Sequence, residues 1–292
     1  MDVIVTAAVE QLIKTAIDED IGPGDITTLS TIAPEATATG FFRAKRDGVV
    51  AGLVLLEKIF GCIDPAVRVR CIARDGGAVT KGQVVAEAHG STRSLLLGER
   101  TALNFIQRLS GTATAARRYV DAVKDFPCKI IDTRKTTPGF RTLEKYAVRM
   151  GGATNHRFGL YDAALIKDNH IAAAGSIAAA VRKVREQSPF MAKVEVECAN
   201  IEQVKEALAA GADVIMLDNM NTEQMAEAVR VVGKRAPVEA SGGINMDTVR
   251  EVARTGVDFI SVGALTHSAP ALDFNMKIQP AGSNRTVKGF KG

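Results

Sequence analysis

The second half of this chain carries a repeat that leaves few folds open to it. Short apolar runs recur at residues 129–131, 164–166, 194–196, 214–217, 238–240 and 259–262. Between the later runs, the segments 176–187, 200–210, 222–232 and 246–255 are rich in Ala, Glu and Lys at helical spacing. Runs of three to five residues are strand length, and alternation with helices of about ten predicts βα units on a parallel sheet. Polar residues follow each run: Asp132-Thr133-Arg134-Lys135, Lys167-Asp168-Asn169-His170, Glu197, Asp218-Asn219, Ser241-Gly242-Gly243 and Gly263-Ala264. From Lys167 onward these points recur every 21 to 30 residues, the length of one βα unit. Parallel α/β barrels gather their chemistry at strand C-termini. Six or seven units are too few for a full (β/α)₈ barrel, so an open, incomplete α/β barrel is expected.

The first part of the chain reads differently. Residues 3–19 have helical apolar spacing and end at Gly22-Pro23-Gly24-Asp25. Segments 36–51 and 67–88 have β character with Gly-rich turns, and 94–109 reads as a helix. This predicts an N-terminal α+β sandwich domain over residues 1–112, joined by the C-terminal segment 271–292, with the barrel over 113–270.

Bulk properties narrow the function classes. Mean hydropathy is +0.06, and no apolar run approaches membrane-spanning length. The N-terminus carries Asp2 and no basic leader, so no secretory signal is visible. Cys62, Cys71, Cys128 and Cys198 are scattered, which argues against zinc and disulfides and points to a cytoplasmic protein. With no Trp, few aromatics and a net charge of +4, the chain lacks the stacking platforms and basic stripes of nucleic-acid binders. P-loop, dinucleotide, zincin and nucleophile-elbow motifs are absent.

Three constellations carry chemistry. The first is cationic: Arg134, Lys135, Arg141, Lys145, Arg149, His156, Arg157, Lys167 and His170. Arginine offers a planar fork and lysine a point charge, a mixture suited to a ligand with carboxylates and phosphates. A solvated basic face is the plain alternative, but these residues flank apolar strands and Gly-rich loops. The second is acidic: Glu195, Glu197 and Asp218 could be ion-pair partners, Mg²⁺ ligands or stabilisers of a cationic transition state. Glu197 lies nearer its strand's C-terminal end and is the better site candidate. The third is Ser241-Gly242-Gly243 with Gly263-Ala264, where glycine lets backbone amides approach a phosphate.

At these residues the chain resembles quinolinate phosphoribosyltransferase. The resemblance is carried by Asp132-Thr133-Arg134-Lys135-Thr136-Thr137-Pro138-Gly139, Asn155-His156-Arg157, Leu165-Ile166-Lys167-Asp168-Asn169-His170, Val194-Glu195-Val196-Glu197, Leu217-Asp218-Asn219 and Glu239-Ala240-Ser241-Gly242-Gly243-Ile244. Gly98-Glu99-Arg100-Thr101-Ala102-Leu103-Asn104 matches as well, and the likeness runs from about residue 10 to 276. The tail after Ile278 matches nothing and is expected to be flexible. The resemblance implies transfer of a phosphoribosyl group from phosphoribosyl pyrophosphate to quinolinate with decarboxylation, in the de novo branch of NAD biosynthesis. It implies an N-terminal sandwich on an open barrel, and homodimers with shared active sites or larger assemblies of dimers. Arg100, supplied by a second subunit, would join Thr133, Arg134, His156, Arg157 and Lys167 at quinolinate. Lys135 and Lys167, with Mg²⁺, would stabilise departing pyrophosphate. Glu197 and Asp218 would hold ribose hydroxyls or Mg²⁺, and Ser241, Gly242, Gly243, Gly263 and Ala264 would seat the 5′-phosphate. The implied catalytic residues are Lys135, Lys167, Glu197 and Asp218. The rivals are a related pyrophosphorylase acting on another base and a non-catalytic phosphosugar sensor.

Overall fold

A computed structural model describes residues 5–282. Two compact units emerge. One takes in the chain up to Ala115, Pro138–Gly151 and the chain from Ala269; the other is Ala116–Thr137 with Gly152–Ser268. The helix Thr92–Ala122 begins in the first and ends in the second, so the expected boundary at residue 112 falls inside a continuous helix. Nothing breaks that helix chemically. Gly111 is kept within it because an added Cβ would lie 2.2 Å from the Pro270 carbonyl oxygen. The second difference is the helix Arg141–Met150, which belongs to the first unit although barrel segments flank it in sequence.

The first unit is built on a four-stranded antiparallel sheet ordered Phe274–Pro280, Thr37–Ala44, Val84–Ser91, Arg68–Cys71. Inward positions of Thr37–Ala44 are Ala38, Gly40, Phe42 and Ala44, the period of two that a half-buried strand requires. Phe42 meets Phe60 edge-to-face at 6.1 Å, within a core of Ile13, Leu53, Leu56, Ile59, Leu103 and Ile106. The strand at Phe274–Pro280 pairs along Thr37–Ala44 from Ala44↔Phe274 to Ala38↔Pro280. The chain after Ile278 therefore continues in a strand as far as Pro280, and backbone pairing decides this where side-chain pattern is silent. The remainder of the expected tail, and the first residues of the expected first helix, lie outside the described residues. That helix is Ala7–Ile21, begun where Thr6 accepts from the Val9 amide.

The second unit is a six-stranded parallel sheet. Its strands, first to sixth in chain order, are Lys129–Ile131, Ala164–Ile166, Val194–Cys198, Val214–Asp218, Val238–Ser241 and Phe259–Ser261. Spatial order is first, sixth, fifth, fourth, third, second, so the sheet is open between its first two strands. A single parallel bridge, Ile131↔Thr154, extends it at that edge. Local chemistry sets the connections. Ser176, Asn200 and Asn221 cap helices by accepting from the amides of Ala179, Gln203 and Gln224, and Gly175 and Gly233 end helices with positive φ. Asn245 instead accepts from the Asp247 and Thr248 amides, so the helix expected from 246 starts only at Val249. No helix among the described residues is long and apolar enough to cross a membrane.

Candidate active site

The C-terminal ends of the parallel strands surround a cavity of about 470 Å³, lined entirely by the second unit. From the first strand end come Asp132, Thr133, Arg134 and Lys135. Asp132 is fully buried and accepts from the His156 amide at 2.8 Å and Asn155 Nδ2 at 2.6 Å. It thereby ties the loop carrying His156 and Arg157 to the strand carrying Arg134. Thr133 Oγ1 accepts from the Lys135 amide at 3.0 Å, and the Lys135 carbonyl accepts from Thr266 Oγ1 at 2.7 Å. The loop that holds Lys135 is braced on both sides without using its ammonium.

Lys167, at the second strand's end, pairs with Glu197 on the adjacent third strand. Arg157 anchors one guanidinium nitrogen on the Ala163 carbonyl at 3.0 Å. Its pKa is lowered, first by burial and then by the Arg134 charge, against the opposing charges of Glu195 and Asp162.

Asp218 and Asn219 close the opposite wall. Asn219 Nδ2 donates to Asp218 Oδ2 at 2.9 Å, its amide donates to the Ser241 carbonyl at 3.0 Å, and its φ is 54°. An added Cβ on Gly242 would lie 2.2 Å from Asn219 Oδ1, and φ at Gly242 is 98°. Only glycine fits there, and its neighbour Gly243 (φ 62°) also lines the cavity.

Beneath the cavity, His156 Nε2 lies 2.9 Å from Glu195 Oε2 and 3.3 Å from Glu239 Oε2. Its Nδ1 accepts the Arg157 amide at 2.7 Å. Burial alone would lower the imidazole pKa, but hydrogen bonds and charge from Glu195 and Glu239 outweigh it and raise the pKa. A hydrogen on Nε2, facing Glu195 and Glu239, is common to the imidazolium and to the Nε2–H tautomer. Burial, ahead of the other influences, raises the Glu239 pKa.

Of the residues expected from the sequence, Thr133, Arg134, Lys135, His156, Arg157, Lys167, Glu197, Asp218, Ser241, Gly242 and Gly243 line one cavity. Gly263 and Ala264 do not line it. Gly263 instead packs under Lys135, where an added Cβ would lie 3.1 Å from Lys135 Cδ. Arg100 lies exposed on Thr92–Ala122 in the first unit. The basic stretch divides: Arg141, Lys145 and Arg149 sit on the first unit's helix Arg141–Met150, with Lys145 buried, and His170 accepts the Lys167 amide through Nδ1. Sequence reasoning missed Leu165, Met216, Glu239 and Ser261 as lining residues, and gave Asp132 and Asn219 a place at the strand ends but no role. Glu239 had a readable signal: a charge inside an apolar run, two residues before Ser241 and so on the same strand face.

The chain matches "Quinolinate phosphoribosyl transferase, C-terminal domain" over residues 112–277 and the corresponding N-terminal domain over 25–110. It belongs to the quinolinate phosphoribosyltransferase family. It is 48% identical over 263 residues to a probable carboxylating nicotinate-nucleotide pyrophosphorylase of Synechocystis, covering 89% of each chain. A Bacillus subtilis protein of the same description is 48% identical over 260 residues, covering 89% of this chain and 90% of that one. The solved structure of NadC from Streptococcus pyogenes superposes with a TM-score of 0.92 at 43% identity, covering 96% of this chain and 99% of that one. The Francisella tularensis nicotinate-nucleotide pyrophosphorylase gives 0.89 at 39% identity, covering 96% and 100%. The expected architecture, an N-terminal sheet domain with an open parallel α/β sheet, is thus that of a quinolinate phosphoribosyltransferase.

Proposed function

We propose that the protein is a carboxylating nicotinate-nucleotide pyrophosphorylase, a pentosyl transferase of de novo NAD biosynthesis. It joins quinolinate to phosphoribosyl pyrophosphate and releases nicotinate mononucleotide, pyrophosphate and carbon dioxide. The observation that carries this reading is the convergence of Arg134, Lys135, Arg157 and Lys167 with Glu197, Asp218 and the Gly242-Gly243 turn on one cavity. A pure anion binder gains nothing from two carboxylates among its cations. A phosphoribosyl transferase does, because its anomeric carbon becomes cationic as pyrophosphate leaves.

In this reading the Arg134 and Arg157 forks hold the two ring carboxylates, and Thr133 and Lys167 complete that side. The ring nitrogen attacks the anomeric carbon while the bond to pyrophosphate breaks, and Lys135 and Lys167 stabilise the departing charge. Glu197 and Asp218 hold the ribose hydroxyls beside the cationic centre. Ser241, Gly242 and Gly243 offer a turn to the 5′-phosphate. Alkylation makes the ring nitrogen cationic. The electron pair left when the adjacent carboxylate departs as carbon dioxide is then stabilised next to that charge, until a proton replaces the lost group.

Glu197 and Asp218 fit Mg²⁺ as hard carboxylate donors, each with one oxygen already bonded, to Lys167 and Asn219 respectively. Bound there, the ion would supply charge neutralisation for pyrophosphate. His156, Glu195 and Glu239 also bring three possible ligand atoms within 4.8 Å of one another, with His156 Nε2 in hydrogen-bond range of Glu195. Assembly as a homodimer, with Arg100 completing the neighbour's site, and a cytoplasmic location are parts of the same proposal. The four free cysteines suit a reducing compartment.

Incubation with quinolinate, phosphoribosyl pyrophosphate and Mg²⁺ tests the reaction. Carbon dioxide and nicotinate mononucleotide are the expected products. Turnover with a different base alone would favour the related pyrophosphorylase, and binding without turnover would favour a sensor. For the shared site, Arg100→Ala mixed with Lys135→Ala should regain partial activity in mixed dimers; none, despite subunit exchange, counts against sharing.

A further inference from the structure

Glu195 and Glu239 are the least economical residues in the parallel sheet. They stand on the third and fifth strands, with one strand and roughly 9–10 Å between those backbones. Their side chains are 8% and 3% exposed. One oxygen of each meets His156 Nε2; the other, Oε1, is buried, and that of Glu195 has no hydrogen-bond partner among the described residues. Carboxyl groups buried this deeply oppose folding, and apolar residues of the same volume would serve stability as well or better. Buried polar groups that break packing rules in this way concentrate at functional sites.

The contacts show what the pair can do. Nε2–H is shared between both carboxylates, which fixes the plane and rotation of the ring. Nδ1 then accepts the Arg157 amide at 2.7 Å, and the Arg157 guanidinium, tied to the Ala163 carbonyl, lines the cavity. Both ring nitrogens are engaged by protein groups, so the ring is placed to serve as a bracket. We propose that Glu195 and Glu239 are positioning residues for quinolinate binding, acting through the His156 ring on Arg157. The inference rests on the reading of the cavity as a quinolinate site.

The test uses the full chain, with each substrate varied in turn and thermal unfolding measured alongside. The unmodified protein comes first: without turnover, the proposed reaction itself fails. Given turnover, Glu195→Leu and Glu239→Leu are expected to keep or raise Tm. They should raise the quinolinate KM roughly tenfold or more, as for a lost buried hydrogen bond, and leave the KM for phosphoribosyl pyrophosphate within about twofold. Neither should add to the loss caused by His156→Ala, because the pair acts only through that ring. Glu195→Gln and Glu239→Gln keep an acceptor oxygen, and should return the quinolinate KM to near its parent value even where the leucine variants fail to fold. Three outcomes overturn the proposal: an unchanged quinolinate KM in folded leucine variants, losses fully additive with His156→Ala, or glutamine variants that raise both KM values together.

Discussion

The two sheets of this protein treat their inward faces in opposite ways. The antiparallel sheet buries Ala38, Phe42, Ala44, Ala86 and Ala88, and its core is apolar. The parallel sheet buries Glu195, Glu239 and Ser261 on the same face as Met216. Both are close-packed, but only one places charge in the interior. The difference teaches where stability and chemistry are separated. The antiparallel sheet can be read as a packing problem, whereas the parallel sheet carries groups that packing alone would exclude.

The contrast breaks most plainly at its apolar pole. Phe42→Ala should cost about 3–5 kcal/mol of stability in thermal or denaturant unfolding, while the remaining folded protein keeps its substrate KM values. A large KM change without loss of stability would erase the distinction. At the charged pole, Arg134→Ala should reduce kcat/KM for quinolinate by the equivalent of about 2–5 kcal/mol, with little change in Tm. Steady-state kinetics check it, and equal losses for both substrates would reject the carboxylate role. Gly242→Ala sits between the poles, because it strains a positive φ and pushes a methyl group against Asn219. It should lower both activity and stability, by about 1–3 kcal/mol in unfolding experiments. The smallest expected effect is at Asp25, which caps the short helix Ile26–Thr31. Bonds from the Thr28 side chain and amide hold its pKa below the usual range, so its contribution is present above about pH 4 and lost as pH falls. The Tm gap between the parent and Asp25→Ala should shrink as acid is added; a gap that widens would contradict the cap.

Much of this was legible in the residues. The six parallel strands follow from six short, largely apolar runs alternating with helical segments. Arg134, Lys135, Lys167, Glu197 and Asp218 follow from their place just after those runs. The limits have physical causes as well. The division of the basic stretch between two units was hidden because charge in a sequence does not say which sheet a helix packs on. Arg141–Met150 lies between barrel elements in the chain, yet its Glu144 meets Arg108 of the first unit at 3.3 Å. Nor could spacing distinguish Gly263, which makes room for Lys135, from Gly242, which makes room for Asn219.

The sequence by itself determined the parallel βα repeat of the second half and the charge that gathers at its strand ends. These depend on local periodicity and on cap and turn chemistry, which act over a few residues. Tertiary structure alone decided that His156 would bridge Glu195 and Glu239, that Asn219 would face Gly242, and that Asp132 would tie two loops together. Those contacts join residues 23 to 83 positions apart, across strands whose spatial order differs from their order in the chain. Distance along a chain carries no information about such meetings; register and strand order do.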